Sequence, residues 1–182
     1  MAISLEKNST IDLSKSSSQL SNIHVGLGWE GDIDCDVSVF MINENNKIPG
    51  DGFFVFYNNL RSSDGAVVHQ GDTLEGDGDG DDEEILIDLT AVDPSVLQLM
   101  FVVTIHDSDK TGQDFSMVNN AYIRITDNSS NTEICRYQLN TDFSGCDSVQ
   151  IGRVYRMGDG WEMEALGDGY TGGLASLLGL YN

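Results

Sequence analysis

Basic residues are scarce in this chain of 182 residues, which has 9 Lys and Arg against 30 Asp and Glu and a net charge of −21. Nucleic-acid binding needs clustered Lys and Arg on the phosphates, and anionic membranes attract basic segments. The composition therefore argues against nucleic acid and against an anionic lipid surface as partners. Two interpretations remain: an acidic surface that keeps the protein in solution, or a site for cations.

Cysteines, prolines and long apolar runs are also few. The three cysteines are an odd number without a CxxC pair, which argues against a disulfide framework and a zinc site. The N-terminus has no basic region followed by an apolar run, and no apolar stretch approaches the roughly 18 residues of a membrane span. We expect a cytoplasmic protein without direct membrane insertion. Because no long linker occurs, we expect one domain over residues 1–182.

The apolar residues that are present occur in short runs bounded by Gly, Asn, Asp or Ser, which is typical of β-strands. The predicted strands are His24–Trp29, Val37–Ile42, Phe53–Tyr57, Ile85–Leu89, Leu97–Ile105, Ala121–Thr126, Ile134–Leu139, Val149–Met157 and Trp161–Leu166. We expect short helical turns at Pro94–Leu97 and Leu174–Leu180, and Lys110–Asn119 stays unassigned. Many short strands with few helices predict an all-β sandwich or barrel.

The most informative segment is Gly71–Glu84, which holds eight acidic residues and no Lys or Arg. In an extended chain alternate residues lie about 6.6 Å apart, and two like charges at that distance repel by roughly 0.6 kcal/mol in water. A cation among these carboxylates would relieve the repulsion. A solvated, disordered loop is the alternative interpretation of the same composition.

Calcium is the cation that this segment favours. Ca²⁺ takes about six to eight oxygen ligands in flexible geometry, whereas Mg²⁺ needs a stricter octahedron and zinc or copper would need His or Cys. Glycines at 76, 78 and 80 allow the backbone to turn and to offer its carbonyls. The segment is not an EF-hand, because Asp82 stands where that loop needs glycine and a strand follows where a helix should be.

A second acidic cluster precedes the strand at Val37. In the stretch Asp32–Asp36 acidic and apolar residues alternate, so a strand would place three carboxylates on one face. An edge strand protected by charge is the alternative. Asn58 follows an aromatic run and Asp107 ends a predicted strand, so both could add oxygen ligands, whereas Asp64 reads as a turn residue.

These segments resemble the TerD family of tellurite-resistance and stress proteins, in order and in spacing, over nearly the whole chain. The stretches that carry the resemblance are Val25–Trp29, Asp32–Asp36, Phe54–Leu60, Ser62–Gly65, Gly71–Asp72, Gly78–Glu83, Phe101–Asp107, Arg136–Leu139 and Gly167–Leu174. The resemblance implies a two-sheet β-sandwich that binds calcium, usually two ions, in acidic loops at one end.

The resemblance also implies a ligand set and a role. The implied metal ligands are Asp34, Asp36, Asn58, Asp72, Asp77, Asp79, Asp81, Asp82, Glu83 and Asp107. The implied role is stress resistance through calcium-dependent structure and partner binding, with other stress-resistance proteins or a membrane-associated complex as partners. Whether the ions sense calcium or hold loops on the sandwich is left open by the sequence.

Two other classes of function compete with this one. An acidic-site hydrolase would need a nucleophile elbow, a P-loop, an HExxH motif or a carboxylate pair with one raised pKa, and the first three are missing from the sequence. A calcium-dependent carbohydrate or adhesive module would suit a β-sandwich, but the lack of a signal peptide counts against it. We expect a protein that is not an enzyme.

Overall fold

The computed structural model describes residues 2–15, 20–71, 76–77, 80–139 and 142–182. In chain order the strands are β1 (Ile3–Leu5), β2 (Thr10–Asp12), β3 (Asn22–Gly31), β4 (Cys35–Asn43), β5 (Phe54–Val55), β6 (Val67–His69), β7 (Gly76–Asp77), β8 (Glu83–Asp88), β9 (Val96–Ile105), β10 (Asn119–Asp127), β11 (Thr132–Gln138), β12 (Ser148–Met157) and β13 (Gly160–Tyr170). Two short α-helices, α1 (Ser108–Thr111) and α2 (Gly173–Leu178), and three 3-10 turns, Leu13–Lys15, Asp51–Phe53 and Phe115–Met117, complete the described elements.

The strands form two sheets. Sheet A has the order β1-β11-β10-β3-β8-β6, with β7 paired to the end of β3, and sheet B has the order β2-β13-β12-β9-β4-β5. All pairs are antiparallel except β1 with β11. The mostly β architecture with two sheets and short helices confirms the predicted fold class.

One large core lies between the sheets because alternate residues of each strand point inward. On β3 the inward residues Val25, Leu27 and Trp29 are buried, while Gly26 and Gly28 lie between them on the outer face. On β9 Leu99 and Phe101 belong to the same core cluster. The two-residue period of the sequence therefore translates directly into the inner faces of a sandwich.

A smaller apolar cluster lies on the outer face of sheet B. There Phe40 and Ile42 of β4 pack with Leu177 of α2 and with Tyr181. The helix thus covers a second apolar face, which explains why eight of the nine residues of β4 are buried. A nearly continuous apolar strand is typical of a strand covered on both sides.

Most predicted strands are confirmed, and three predictions need correction. Pro94 lies in a turn and β9 begins at Val96, so the helical turn predicted at Pro94–Leu97 is wrong; the Asp93 side chain accepts the Ser95 amide and favours that turn. The strand predicted over Phe53–Tyr57 is reduced to β5, because the chain turns back at once through a bridge between Phe56 and Asn59. The helical turn predicted at Leu174–Leu180 is confirmed as α2.

The third correction concerns the acidic stretch before β4. The strand begins at Cys35, so Asp32 and Asp34 lie in the connection from β3 rather than on a strand face with Asp36. The connection is tight because β3 and β4 belong to different sheets and the chain must cross between them at the end of the sandwich. Within the unassigned segment Lys110–Asn119, the structure forms the end of α1 and a single 3-10 turn at Phe115–Met117.

Candidate metal centre

The connection between β3 and β4 and the start of β4 place two predicted ligands, Asp34 and Asp36, at one end of the sandwich. Asp36 is 5% exposed, and its Oδ2 lies 2.9 Å from Nδ1 of His106, which follows β9. The main chain of His106 also donates to the Asp34 carbonyl oxygen at 2.8 Å. The hydrogen bond with Asp36 raises the pKa of His106, so the imidazole holds that carboxylate in a fixed orientation.

The residues just before and at the start of β8 bring a second pair of carboxylates to the same end. The Asp82 amide donates to the Leu27 carbonyl at 2.8 Å, and Asp82 Oδ2 accepts the Trp29 amide at 2.8 Å. Glu83 is 1% exposed; its Oε2 accepts the Val37 amide at 3.1 Å and lies 3.1 Å from His69 Nε2. Both side chains are therefore held by the backbone of neighbouring strands.

The Cys35 thiol shows that these two segments meet. Burial, and then the negative charges of four carboxylates, raise the pKa of Cys35 above its ordinary value. The four contributing residues are Asp34, Asp36, Glu83 and Asp82. Carboxylates from two separate parts of the sequence thus act on the same buried thiol.

The β7 strand brings residues 76 and 77 of the acidic segment to the same end of the sandwich. Asp77 pairs with Glu30 at the end of β3, next to the connection that carries Asp34. Of the other predicted ligands, Asp72 and Asp79 lie outside the described residues, as does the side chain of Asp77. Oxygen donors clustered at one rim, on backbone that two sheets hold in place, suit a hard divalent cation.

Three further predicted ligands lie apart from this cluster or engage other groups. Asp81 turns to the outer face of sheet A, where its Oδ2 lies 2.8 Å from the Arg124 guanidinium. Asp107, in a left-handed conformation before α1, binds Lys110 at 2.8 Å, and this hydrogen bond lowers the pKa of Asp107. Asn58 is exposed in the turn that follows β5.

An open cleft of about 390 Å³ adjoins the site, between Asp36, Tyr57 and His106 on one side and the turn before α2 on the other. Asp147 holds that turn through hydrogen bonds from the amides of Gly172 and Gly173, at 3.2 and 2.9 Å. Both glycines have positive φ, so the geometry of the turn requires glycine. The C-terminal glycine motif therefore has a structural role beside the site.

Sequence reasoning missed the residues that orient the carboxylates. His69 lies in sequence close to the acidic segment, but its contact with Glu83 spans two strands and leaves no pattern in the sequence. Arg124 gives no sequence signal either, because an isolated arginine in a strand is common on an outer face. Asp64 is a turn residue, as the sequence predicts: its carboxylate accepts from the Ser62 hydroxyl and the Ala66 amide.

Among the described residues, one group of His and carboxylate side chains has ligand atoms close enough together to hold a metal ion by distance, and it lies on the outer face of sheet A. Ligand atoms of His24, Asp81 and Glu84 all lie within 4.8 Å of one another. Asp81 is already paired with the Arg124 guanidinium, whose positive charge disfavours a cation beside it.

Within the part of the chain that the structure describes, no helix is both long and apolar enough to cross a bilayer.

Comparisons with known proteins agree with this architecture. The model of the TerD domain matches residues 1–181. The tellurium resistance protein TerD of Serratia marcescens is 44% identical over 100% of this chain and 97% of its own. General stress protein 16U of Bacillus subtilis (strain 168) is 41% identical, over 97% of this chain and 95% of its own.

A solved structure shares the fold. The crystal structure of a homologue of the telluride resistance protein TerD from Streptomyces coelicolor A3(2) superposes with a TM-score of 0.68 at 20% identity, over 88% of this chain and 96% of that chain. At this identity the likeness shows the fold alone. The family model and the full-length relatives give the identity: the chain belongs to the TerD family of tellurium-resistance and general stress proteins.

Proposed function

We propose that this protein binds calcium at the rim where Asp34, Asp36, Asp82 and Glu83 meet, and that it acts in stress resistance through calcium-dependent structure and partner binding rather than catalysis. The single observation that carries the proposal is the contact between the two acidic segments, in which the Val37 amide, next to Asp36, donates to Glu83 Oε2 at 3.1 Å. Such a concentration of negative charge favours an ion that can neutralise it. The family membership supports the stress role.

The donor types favour calcium over other ions. The four carboxylates have eight oxygens, of which Asp36 Oδ2, Asp82 Oδ2 and Glu83 Oε2 already contact protein groups. Asn58 follows Tyr57, whose ring contacts that of His106 beside Asp36. Calcium accepts mixed carboxylate and carbonyl ligands at roughly 2.3–2.6 Å in flexible geometry, whereas magnesium prefers to keep its waters. The predicted pair of ions would draw its remaining ligands from the acidic segment that leads into β8.

The mode of action that we propose follows from where the site lies. A cation bound there would join the β3–β4 connection to the segment that leads into β8, because each contributes part of the ligand set. Calcium would then set the shape of one rim of the sandwich and of the cleft beside it. We propose that the protein acts in the cytoplasm and that this rim binds other stress-resistance proteins or a membrane-associated complex.

The experiment is a calorimetric titration of the metal-free chain with CaCl₂ and, separately, with MgCl₂. We expect saturable heat with calcium, weaker binding of magnesium, and a melting temperature that rises with calcium concentration. Asp82→Ala should lose most of this rise. Asp142→Ala, which removes an exposed carboxylate whose own hydrogen bonds go to Ser144, is the matched control and should keep it.

Two outcomes would contradict the proposal. Absence of heat from the wild-type protein at millimolar calcium would remove the cation site altogether. An equal thermal shift in Asp82→Ala and Asp142→Ala would move the site away from the described cluster. The affinity itself distinguishes two roles: weak binding favours sensing of calcium, and ions that never dissociate favour a permanent structural role.

A further inference from the structure

The outer face of sheet A carries a hydrogen-bonded network directly behind the candidate metal centre. Arg124 of β10 binds Asp81 with two parallel contacts, Nε to Oδ1 at 2.8 Å and Nη2 to Oδ2 at 2.8 Å. The Tyr122 hydroxyl lies 2.8 Å from Asp81 Oδ1 and 2.6 Å from the Gly80 carbonyl. A two-pronged arginine–carboxylate contact fixes orientation as well as charge.

Two glycines of β3 create the space for this network. A Cβ atom at Gly26 would lie 1.9 Å from Asp81 Oδ2, and one at Gly28 would lie 2.5 Å from the Tyr122 hydroxyl. Neither glycine is needed for a positive φ, because both lie in regular strand. They leave a depression in the outer face that the Asp81 carboxylate fills, so that its side chain is only 2% exposed.

Because the Asp81 side chain is fixed on the outer face of sheet A, the positions of the next two residues, Asp82 and Glu83, are restricted. Asp82 follows at about 3.8 Å along the backbone, and it is in turn tied to β3 through the Leu27 carbonyl and the Trp29 amide. Glu83 then enters β8 and points inward to Val37 and His69. The acidic segment is therefore attached on the outer face at one residue and presents its carboxylates to the candidate metal centre at the next two.

We propose that Arg124 is a positioning residue for the calcium-binding segment and that Asp81 is the residue by which the segment is held, not a metal ligand. The proposal deepens the proposed function and rests on it. By holding Asp81, Arg124 keeps Asp82 and Glu83 ordered in the metal-free protein. Residues outside the ligand shell that orient ligands typically change metal affinity 10- to 100-fold when they are replaced.

The charge of Arg124 makes the test decisive, since a positioning role and a purely electrostatic role predict opposite changes in calcium affinity when Arg124 is replaced. If Arg124 acted only as a nearby positive charge, its removal would strengthen calcium binding. If it positions the segment, its removal weakens calcium binding. We expect Arg124→Gln to bind calcium roughly tenfold more weakly in a calorimetric titration.

A matched arginine lies in the other sheet. Arg153 of β12 binds Glu164 at 2.7 Å and is about as exposed as Arg124. Arg153→Gln should lose a similar surface contact and keep wild-type calcium affinity. Because Arg124 acts through Asp81, the double variant Arg124→Gln with Asp81→Asn should bind no more weakly than Asp81→Asn alone.

A second readout does not involve calcium. Hydrogen exchange in the metal-free protein should be faster over residues 80–84 in Arg124→Gln, and unchanged there in Arg153→Gln. Tyr122→Phe removes only a hydroxyl and serves if Arg124→Gln does not fold; it should weaken calcium binding in the same direction by a smaller factor. Calcium affinity equal to or tighter than wild type in Arg124→Gln, or in Tyr122→Phe where Arg124→Gln does not fold, would overturn this proposal, whereas a wild-type protein without calcium binding would overturn the proposed function.

Discussion

The carboxylate of Asp147 should anchor the C-terminal segment, and its replacement gives the sharpest stability prediction. Asp147 accepts hydrogen bonds from the amides of Gly172 and Gly173 and from the hydroxyls of Ser108 and Ser148. Hydrogen bonds to a charged group contribute about 1.5–3 kcal/mol each when buried, and far less where water reaches them. Because Asp147 is partly exposed, we expect Asp147→Ala to lower the free energy of unfolding by about 2 kcal/mol in total.

The pH dependence of this contribution has a definite sign. Burial by itself would raise the pKa of Asp147, but the hydrogen bonds, the Gly173 amide first, outweigh it and lower the pKa below the ordinary 3.8. A group whose pKa is lower in the folded state stabilises the protein above its unfolded pKa, and loses that contribution as the pH falls through the folded value. The stability difference between wild type and Asp147→Asn should therefore be full at pH 7 and should shrink below about pH 4.

Urea denaturation at fixed calcium, at pH 7 and at acidic pH, measures this difference, with hydrogen exchange over residues 173–182 as the local readout. A loss of about 2 kcal/mol corresponds to a fall in melting temperature of about 4–8 °C for a chain of this size. Asp142→Ala and Asp142→Asn are the matched controls, because among the described residues the hydrogen bonds of this carboxylate go to Ser144, within its own turn. If Asp147→Ala unfolds like the control and residues 173–182 exchange at the wild-type rate, the anchoring role is wrong.

Two further predictions concern packing and reactivity. Leu177→Ala should lower the free energy of unfolding, measured in urea, by about 2–4 kcal/mol, since Leu177 is 1% exposed and packs on the outer face of sheet B. Leu180→Ala, at an exposed position, should lower it by less than about 0.5 kcal/mol. Equal losses in the two variants would contradict the packing of α2. In the native protein a maleimide should modify the half-buried Cys146 and spare Cys35. The thiolate is the reactive form of cysteine, and burial together with four carboxylates raises the pKa of Cys35, so its side chain stays a thiol. Peptide mass spectrometry locates the adduct, and early labelling of Cys35 would show that the carboxylate cluster is open to solvent.

Local pattern was enough to predict most strands. The alternation in Val25–Trp29 and the continuous apolar run in β9 translate into inner faces because a side chain in a strand can point only one way or the other. The prediction failed at Pro94 and at Phe53–Tyr57, where a few hydrogen bonds of turn residues decide the backbone. Such contacts are short-range but depend on exact geometry, which composition and periodicity do not contain.

The sequence by itself determined the class of fold, the excess of carboxylates and the family resemblance, because each depends on residue types and their spacing. Only the tertiary structure decided how those carboxylates are distributed. It brought Asp34 and Asp36 together with Asp82 and Glu83 around Cys35, and it turned Asp81 outward onto Arg124, 43 residues further along the chain. Neighbours in sequence were sent to opposite faces because β3 lacks side chains at Gly26 and Gly28, and the depression that they leave exists only once sheet A has formed.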